Sequence, residues 1–276
     1  MSENLGDPAP PHSAEAKDSG KVAPERRAVW FAIAGVTVVA WLYLWHVAAE
    51  MEESMSGMAD MVMPRAEPWG VVEIALTFAM WAVMMVGMML PGAAPTIALF
   101  AFLDRRRRST GAASGSTIGA FGAGYLAVWA GFSVAATLTQ WGLDSALLLT
   151  MAQASANTLF AGALLFTAGV YQLTPLKHAC LTQCRSPLAF LMMHWRDGQV
   201  GAFRMGARHG AWCLGCCGAL MLLLFVGGVM NLVWVAALAV VTMAEKLVPK
   251  GEWLARGIGV ILVMAAAWTV LWPLAN

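Results

Sequence analysis

Charge is scarce in this chain: Asp, Glu, Lys and Arg make up 12% of 276 residues, against 59% hydrophobic ones. Together with a mean hydropathy of +0.66, that balance excludes a soluble domain and implies an integral membrane protein. No basic patch is interleaved with aromatics, which excludes a nucleic-acid partner, and no glycine-rich phosphate loop is present. Any transport is therefore passive or gradient-coupled rather than driven by nucleotide hydrolysis. No pair of groups placed for acid–base work stands out, so the expectation is a protein that is not an enzyme. The chain also lacks a basic opening stretch followed at once by an apolar run, which argues against a signal peptide. Residues 1–26 hold too few large apolar side chains to pack, and they read as a disordered cytoplasmic tail ahead of one helical membrane domain, 27–276.

Crossing a hydrocarbon core about 30 Å thick takes roughly 20 apolar residues. Seven stretches meet or approach that length: about 28–48, 69–90, 117–139, 156–173, 211–229, 231–247 and 256–274. The expected fold is therefore all-α, a polytopic bundle with a tight hairpin at Gly227-Gly228 between the fifth and sixth spans. Pro91 and Pro95 are expected to end the second helix, and Gly115, Gly119, Gly122, Gly124 and Gly131 to let the third pack closely. Basic residues cluster before the first span, after the second (Arg105 to Arg108), between the fourth and fifth, and after the sixth (Lys246, Lys250, Arg256). Threading seven spans with the N-terminus inside puts all four clusters in the cytoplasm, as the positive-inside rule requires.

Cysteine is rare, with five in the chain, and all five fall between Cys180 and Cys217. Lys177-His178-Ala-Cys180-Leu-Thr-Gln-Cys184 lies in an expected cytoplasmic loop, 174–208, and His209-Gly-Ala-Trp-Cys213-Leu-Gly-Cys216-Cys217 opens the fifth span. Thiolates and imidazoles this closely spaced form the ligand set of soft or borderline ions, Cu(I) first and Zn(II) as the alternative. On a helix, His209 and Cys213 share a face, as do Cys213 and Cys216, whereas Cys217 points about 100° away from Cys216. The plainer reading is that small cysteines fill a membrane helix. The cytoplasmic side keeps thiols reduced, which favours metal binding over disulfides. Within the same loop, Ser186-Pro187 is expected to start a short interfacial helix with Leu188, Leu191, Met192 and Trp195 at helical spacing.

Methionine is abundant instead. Met51, Met55, Met58, Met61 and Met63 crowd a polar, acidic outer loop, 49–68, beside His46, Glu50, Glu52, Glu53 and Asp60. Thioethers select Cu(I) and form no disulfides in an oxidising compartment. The competing reading is an amphipathic helix whose methionines touch the membrane surface. On the second helix Met80, Met84 and Met88 fall within an arc of roughly 80°, widened by Met85 and Met89 to about half the circumference. That stripe is either a thioether relay or flexible core filling.

The segments Met84-Met85-Val-Gly-Met88-Met89-Leu-Pro91, Thr174-Pro175-Leu-Lys177-His178-Ala-Cys180-Leu-Thr-Gln-Cys184-Arg185-Ser-Pro187 and Arg208-His209-Gly-Ala-Trp-Cys213-Leu-Gly-Cys216-Cys217 together resemble a bacterial family of metal-binding integral membrane proteins. Some of its members are thought to act as copper chaperones for polyphenol oxidase or tyrosinase-type enzymes. The resemblance spans about 28–274 and implies a multi-pass protein of the bacterial inner membrane, with copper as cargo and a copper-dependent apo-enzyme as client. By positional match it implies Cys180, Cys184, Cys213, Cys216 and His209 as ligands. A homo-oligomer is compatible with such spans. Two other classes fit the cysteines: a thiol-disulfide oxidoreductase using Cys213-x-x-Cys216 with Cys180 and Cys184 as a shuttle pair, and a transporter stapled by a structural zinc site.

Overall fold

The computed structural model describes residues 12–58, 69–107, 115–149 and 157–275, with side chains left aside at 12–26, 52, 54–58 and 272–276. All ten elements among the described residues are helices: α1 (His12–Met58), α2 (Val71–Arg107), α3 (Gly115–Ser145), α4 (Thr158–Gln172), α5 (Pro175–Arg185), α6 (Pro187–His194), α7 (Gly198–Met221), α8 (Leu224–Gly227), α9 (Leu232–Leu247) and α10 (Gly251–Ala275). Among the described residues five helical stretches are long and apolar enough to cross a membrane: Arg27–Met51, Val71–Arg107, Gly115–Ser145, Gly198–Gly227 and Gly251–Leu271. A sixth, α4 with α5, passes only as a pair bent by 64°. At 16 residues, α9 is shorter than these spans. The backbone of α1 is helical from His12 onward, so the tail expected to be disordered is helical over 12–26.

The helix starts follow local chemistry. Asn157 caps α4 by accepting from the Leu159 and Phe160 amides. Thr174 accepts from Lys177 N, and Pro175 sits in the first turn of α5, where its missing N–H costs nothing. Between α8 and α9 the chain turns at Gly228, whose φ of 94° suits glycine, and Asn231 caps the helix that follows. That turn falls where the hairpin was expected.

Two expectations are corrected here. Helix α2 does not stop at Pro91 and Pro95 but runs through both to Arg107. Proline removes one backbone bond and crowds the preceding turn, yet this segment is enclosed, with Leu90, Ala93, Ala94 and Ile97 all buried. Tertiary packing overrides the local break. The second correction concerns α3, where, among the described residues, only Gly124 makes a close approach; Cβ atoms at Gly115, Gly119, Gly122 and Gly131 would meet none of them within 4 Å. A Cβ on Gly124 would lie 2.0 Å from Phe203 O, and one on Gly206 would lie 1.9 Å from Phe121 O. Helices α3 and α7 thus lie backbone against backbone through Gly124 of α3 and Gly206 and Gly210 of α7, the last with a Cβ position 3.0 Å from Tyr125 O, the close packing that membrane helices favour. This contact positions the cysteine face of α7.

The segment 174–208, expected to be a loop, is mostly helical: α5, α6 and the first turns of α7. The expected stripe on α6 divides. Leu191 is buried beside Phe190, Leu188 and Met192 are exposed, and Trp195 follows the helix, its ring 5.4 Å from that of Phe100.

Candidate metal centre

The site is built on one face of α7. His209, Cys213, Cys216 and Cys217 stand at spacings of four, three and one, and all four are buried. The sulfurs of Cys213, Cys216 and Cys217 lie within 4.8 Å of one another. At about 100° per residue, Cys216 sits about 60° to one side of Cys213 and Cys217 about 40° to the other, so Cys213 lies between them. Cys217, set apart by its angle to Cys216, therefore belongs to the cluster. Both thiols bond back to the Cys213 carbonyl, Cys216 Sγ at 3.2 Å and Cys217 Sγ at 2.9 Å, which aims all three sulfurs at one region.

Four other helices close around them. From α5, Cys184 Sγ comes within 3.7 Å of Cys216 Sγ. From α2, Met89 Sδ is 3.6 Å from Cys217 Sγ. From α3, the Tyr125 hydroxyl donates to Met89 O at 3.0 Å and lies 3.1 Å from Cys213 Sγ. From α9, the Lys246 ammonium reaches Cys213 Sγ at 3.2 Å and both Cys217 Sγ and Met89 Sδ at 3.8 Å. A Cβ on Gly92 would come 3.4 Å from Lys246 Cδ, so this glycine gives the lysine its path into the sulfur layer. All five cysteines are free thiols.

Beside the sulfur layer lies an ionic one. Lys177 and Glu245 form a buried pair at 2.6 Å, completed by a 2.6 Å bond from Gln172 Nε2 to the other carboxylate oxygen. Lys177 also donates to the carbonyl of Cys216, and Tyr171 donates to that of Gly215 at 2.5 Å. Burying two charges is costly unless every donor and acceptor finds a partner. Here the partners are the backbone of the cysteine helix itself, so the ion pair holds α4, α5 and α9 in register with α7. Glu245 pairs with Lys177 and not with its neighbour Lys246, which leaves Lys246 for the thiols.

The other residues expected at the site are distributed as follows. Cys180 is buried, facing the notch left by Gly215, where a Cβ would lie 2.6 Å from its Sγ; it is not one of the three mutually close sulfurs. His209 is stacked among Phe121, Tyr125 and Phe190 at centroid distances of 6.3, 5.7 and 5.2 Å, its Nδ1 has no hydrogen-bond partner among the described residues, and it too stands outside the close set. His178 faces α10, where Arg256 Nε donates to its Nε2 at 3.2 Å and Glu252 lies 3.9 Å from Nδ1. Met80, Met84 and Met88 are all buried in α2. Met88 lines an apolar cavity of about 550 Å³ between α1, α2 and α9, and the methionine beside the thiols is Met89. Met51, Met55 and Met58 lie on the last turns of α1; Met61 and the rest of the methionine loop fall outside the described residues.

Met89, Tyr125, Lys246 and the Lys177–Glu245 pair were not singled out as site residues by spacing. Met89 belonged to the wider methionine stripe, and Lys246 was counted only in the basic cluster after the sixth span.

Soft sulfur donors held together and shielded from water define the class: an all-helical protein with helices of membrane-spanning length around a buried cysteine cluster suited to a soft metal ion. More particularly, residues 78–269 match the family described as PpoB2, copper chaperone, and the chain belongs to that family. No curated protein and no solved structure matches it. The matched region takes in all five helices that meet at the sulfurs and leaves out α1 and the methionine loop.

Proposed function

We propose that this protein is a membrane copper carrier that holds Cu(I) among Cys213, Cys216 and Cys217 and hands it to a copper-dependent apo-enzyme of the polyphenol oxidase kind. The observation that carries this reading is the convergence of three buried sulfurs within 4.8 Å in a chain of the copper-chaperone family. Thiolates with a thioether suit Cu(I), which tolerates low coordination numbers, and the ion here is cargo. Cys184 and Met89 are the next ligands in reach. Their position on separate helices lets ligands exchange as the metal arrives or leaves. The Lys246 ammonium supplies positive charge beside sulfurs that must lose protons to bind metal. His209, Cys180, His178 and the methionines at 80, 84 and 88 serve as surroundings or relay rather than as primary ligands.

Seven crossings with the N-terminus inside remain the orientation that best fits the charges. The basic segments meet at one end of the bundle: Arg107 lies over the Trp195 ring at 4.5 Å, Arg185 donates to Pro249 O at 2.5 Å, and Arg256 reaches His178. In this reading that end faces the cytoplasm of a bacterial cell, and the methionine loop faces outward.

Zinc is the competing occupant, because Cys184 with the three clustered cysteines makes four thiols, the number a structural zinc site takes. The test is metal content and Cu(I) affinity of the full chain, purified in detergent under reducing, anaerobic conditions. One tightly held Cu(I) per chain is expected, lost in Cys213→Ser and Cys217→Ser and retained in Cys180→Ser. Stoichiometric zinc that copper does not displace establishes a structural site instead. A metal-free protein that cycles between thiols and a Cys184–Cys216 disulfide establishes an oxidoreductase.

A further inference from the structure

A second cavity, of about 490 Å³, opens where α6 passes into α7, and arginine dominates its lining: Arg196, Arg204 and Arg208, with His194 and Trp195 beside them. Arg204 and Arg208 are four apart on α7 and so share a face, where two like charges repel. Arg196 comes from the linker, whose backbone is fixed by its amide donating to Met205 Sδ at 3.1 Å. A fourth guanidinium, that of Arg107, packs over the Trp195 ring at 4.5 Å. Among the described residues no carboxylate pairs with Arg196, Arg204 or Arg208. The nearest acid in sequence, Asp197, accepts from the Trp195 indole at 2.8 Å. The fold therefore gathers cations around a concave space and leaves them uncompensated.

Met193 and Met205 line the cavity beside the arginines, and Met192, Met193, Val200 and Phe203, which lie in the chain beside or among its lining residues, are 58%, 72%, 67% and 42% exposed. A basic hollow bordered by exposed apolar side chains matches an amphiphile with an anionic head and hydrocarbon tails. Guanidinium groups favour phosphate because their fork of N–H donors fits its oxygens. Basic pockets between membrane helices are also where anionic headgroups bind.

We propose that the Arg196–Arg204–Arg208 cavity is a binding site for the phosphate of an anionic membrane phospholipid, separate from the sulfur cluster. The lipid bridges α6 and α7 with the end of α2, neutralises the arginines and steadies the helix that carries the cysteines.

The test uses the full chain in neutral detergent, with native mass spectrometry and thermal unfolding read in parallel. Mixed micelles of dioleoyl phosphatidylglycerol are compared with phosphatidylcholine and with millimolar inorganic phosphate. Phosphatidylglycerol is expected to stay bound and to raise Tm by several degrees. Arg204→Gln/Arg208→Gln should need at least tenfold more lipid for the same shift, whereas Lys21→Gln/Lys250→Gln, with the same charge change elsewhere, should behave as wild type. Arg196→Gln gives an independent check if the double variant fails to fold. Copper content should not change in any of these variants, so the outcome is separate from that of the copper reading. Equal responses to both lipids, or an undiminished response in the arginine variants, overturns the site. A full response to inorganic phosphate alone overturns the lipid assignment in favour of a free phosphate compound.

Discussion

Lys246 is the residue whose chemistry is most at odds with an apolar bundle, since its ammonium lies 3.2 Å from one thiol sulfur and 3.8 Å from another. Metal binding turns these thiols into thiolates, and a buried centre with three thiolates and one Cu(I) carries net negative charge. A fixed cation about 4 Å away offsets that charge by about 4 kcal/mol at an effective dielectric near 20. Lys246→Met, of similar length and uncharged, is therefore expected to weaken Cu(I) binding at least tenfold, about 1.4 kcal/mol, in competition with a Cu(I) chelator. A tighter complex in Lys246→Met would mean that the ammonium occupies the metal's place and obstructs it. Much of this site was legible from residue types: soft ligands at helical spacing pointed to Cys213 and Cys216 from the sequence. Cys217 was a candidate too, though the weakest of the three, because its angle to Cys216 alone says nothing of its angle to Cys213. Not legible was the place of Cys180, only four residues before Cys184 on α5, which meets Gly215 rather than the sulfur set.

Among the elements, α7 depends on its seam with α3. A methyl at Gly206 would sit 1.9 Å from Phe121 O, a backbone atom that cannot move without carrying α3 with it. Overpacking of this kind costs typically 1–3 kcal/mol, and backbone on both sides of the contact puts this case at about 3 kcal/mol or more. Gly206→Ala is expected to lower Tm clearly and to reduce copper content through displacement of the cysteine face. Gly122→Ala, where the new methyl meets nothing within 4 Å, should leave both unchanged. Equal stability of the two variants would show that the seam is looser than its backbone distances. Apolar run length made the existence of α1, α2, α3, α7 and α10 legible in the sequence, because the membrane requirement is a simple one. Their ends were less so. Helix α2 continues past two prolines because its surroundings hold it, and α5 was hidden because a helix of 11 residues leaves no long apolar run, whereas Ser186-Pro187 and the spacing after it had marked the start of the 8-residue α6. Which glycines of α3 touch a neighbour depends on where α7 lies, a tertiary fact that glycine spacing does not contain.

At the scale of the whole molecule, two sulfur chemistries occupy different parts of the chain. The thiols sit within the family match at 78–269, and the methionine segment from Met51 to Met63 precedes it. In the proposed orientation the thioethers face an oxidising compartment, where they stay competent for Cu(I), and the thiols lie towards the reducing side. Such an arrangement lets the outer segment gather copper while the inner cluster retains it. His46 and Glu50, 3.3 Å apart and both largely exposed, leave polar donors near that outer end. Capture and retention then separate experimentally. Replacing Met51, Met55, Met58 and Met61 together by leucine keeps the apolar character of the segment and removes its sulfur. The variant is expected to bind the same one Cu(I) per chain with unchanged affinity, because Cys213, Cys216 and Cys217 are untouched. Reconstituted in vesicles and supplied with Cu(I) from outside at limiting concentration, it should load several-fold more slowly than wild type. If loading is as fast in the leucine variant, the methionine segment plays no part in capture and its side chains act only at the membrane surface. If affinity falls as well, the two sulfur sets share one ion, and the methionine segment must reach the cysteines of α7.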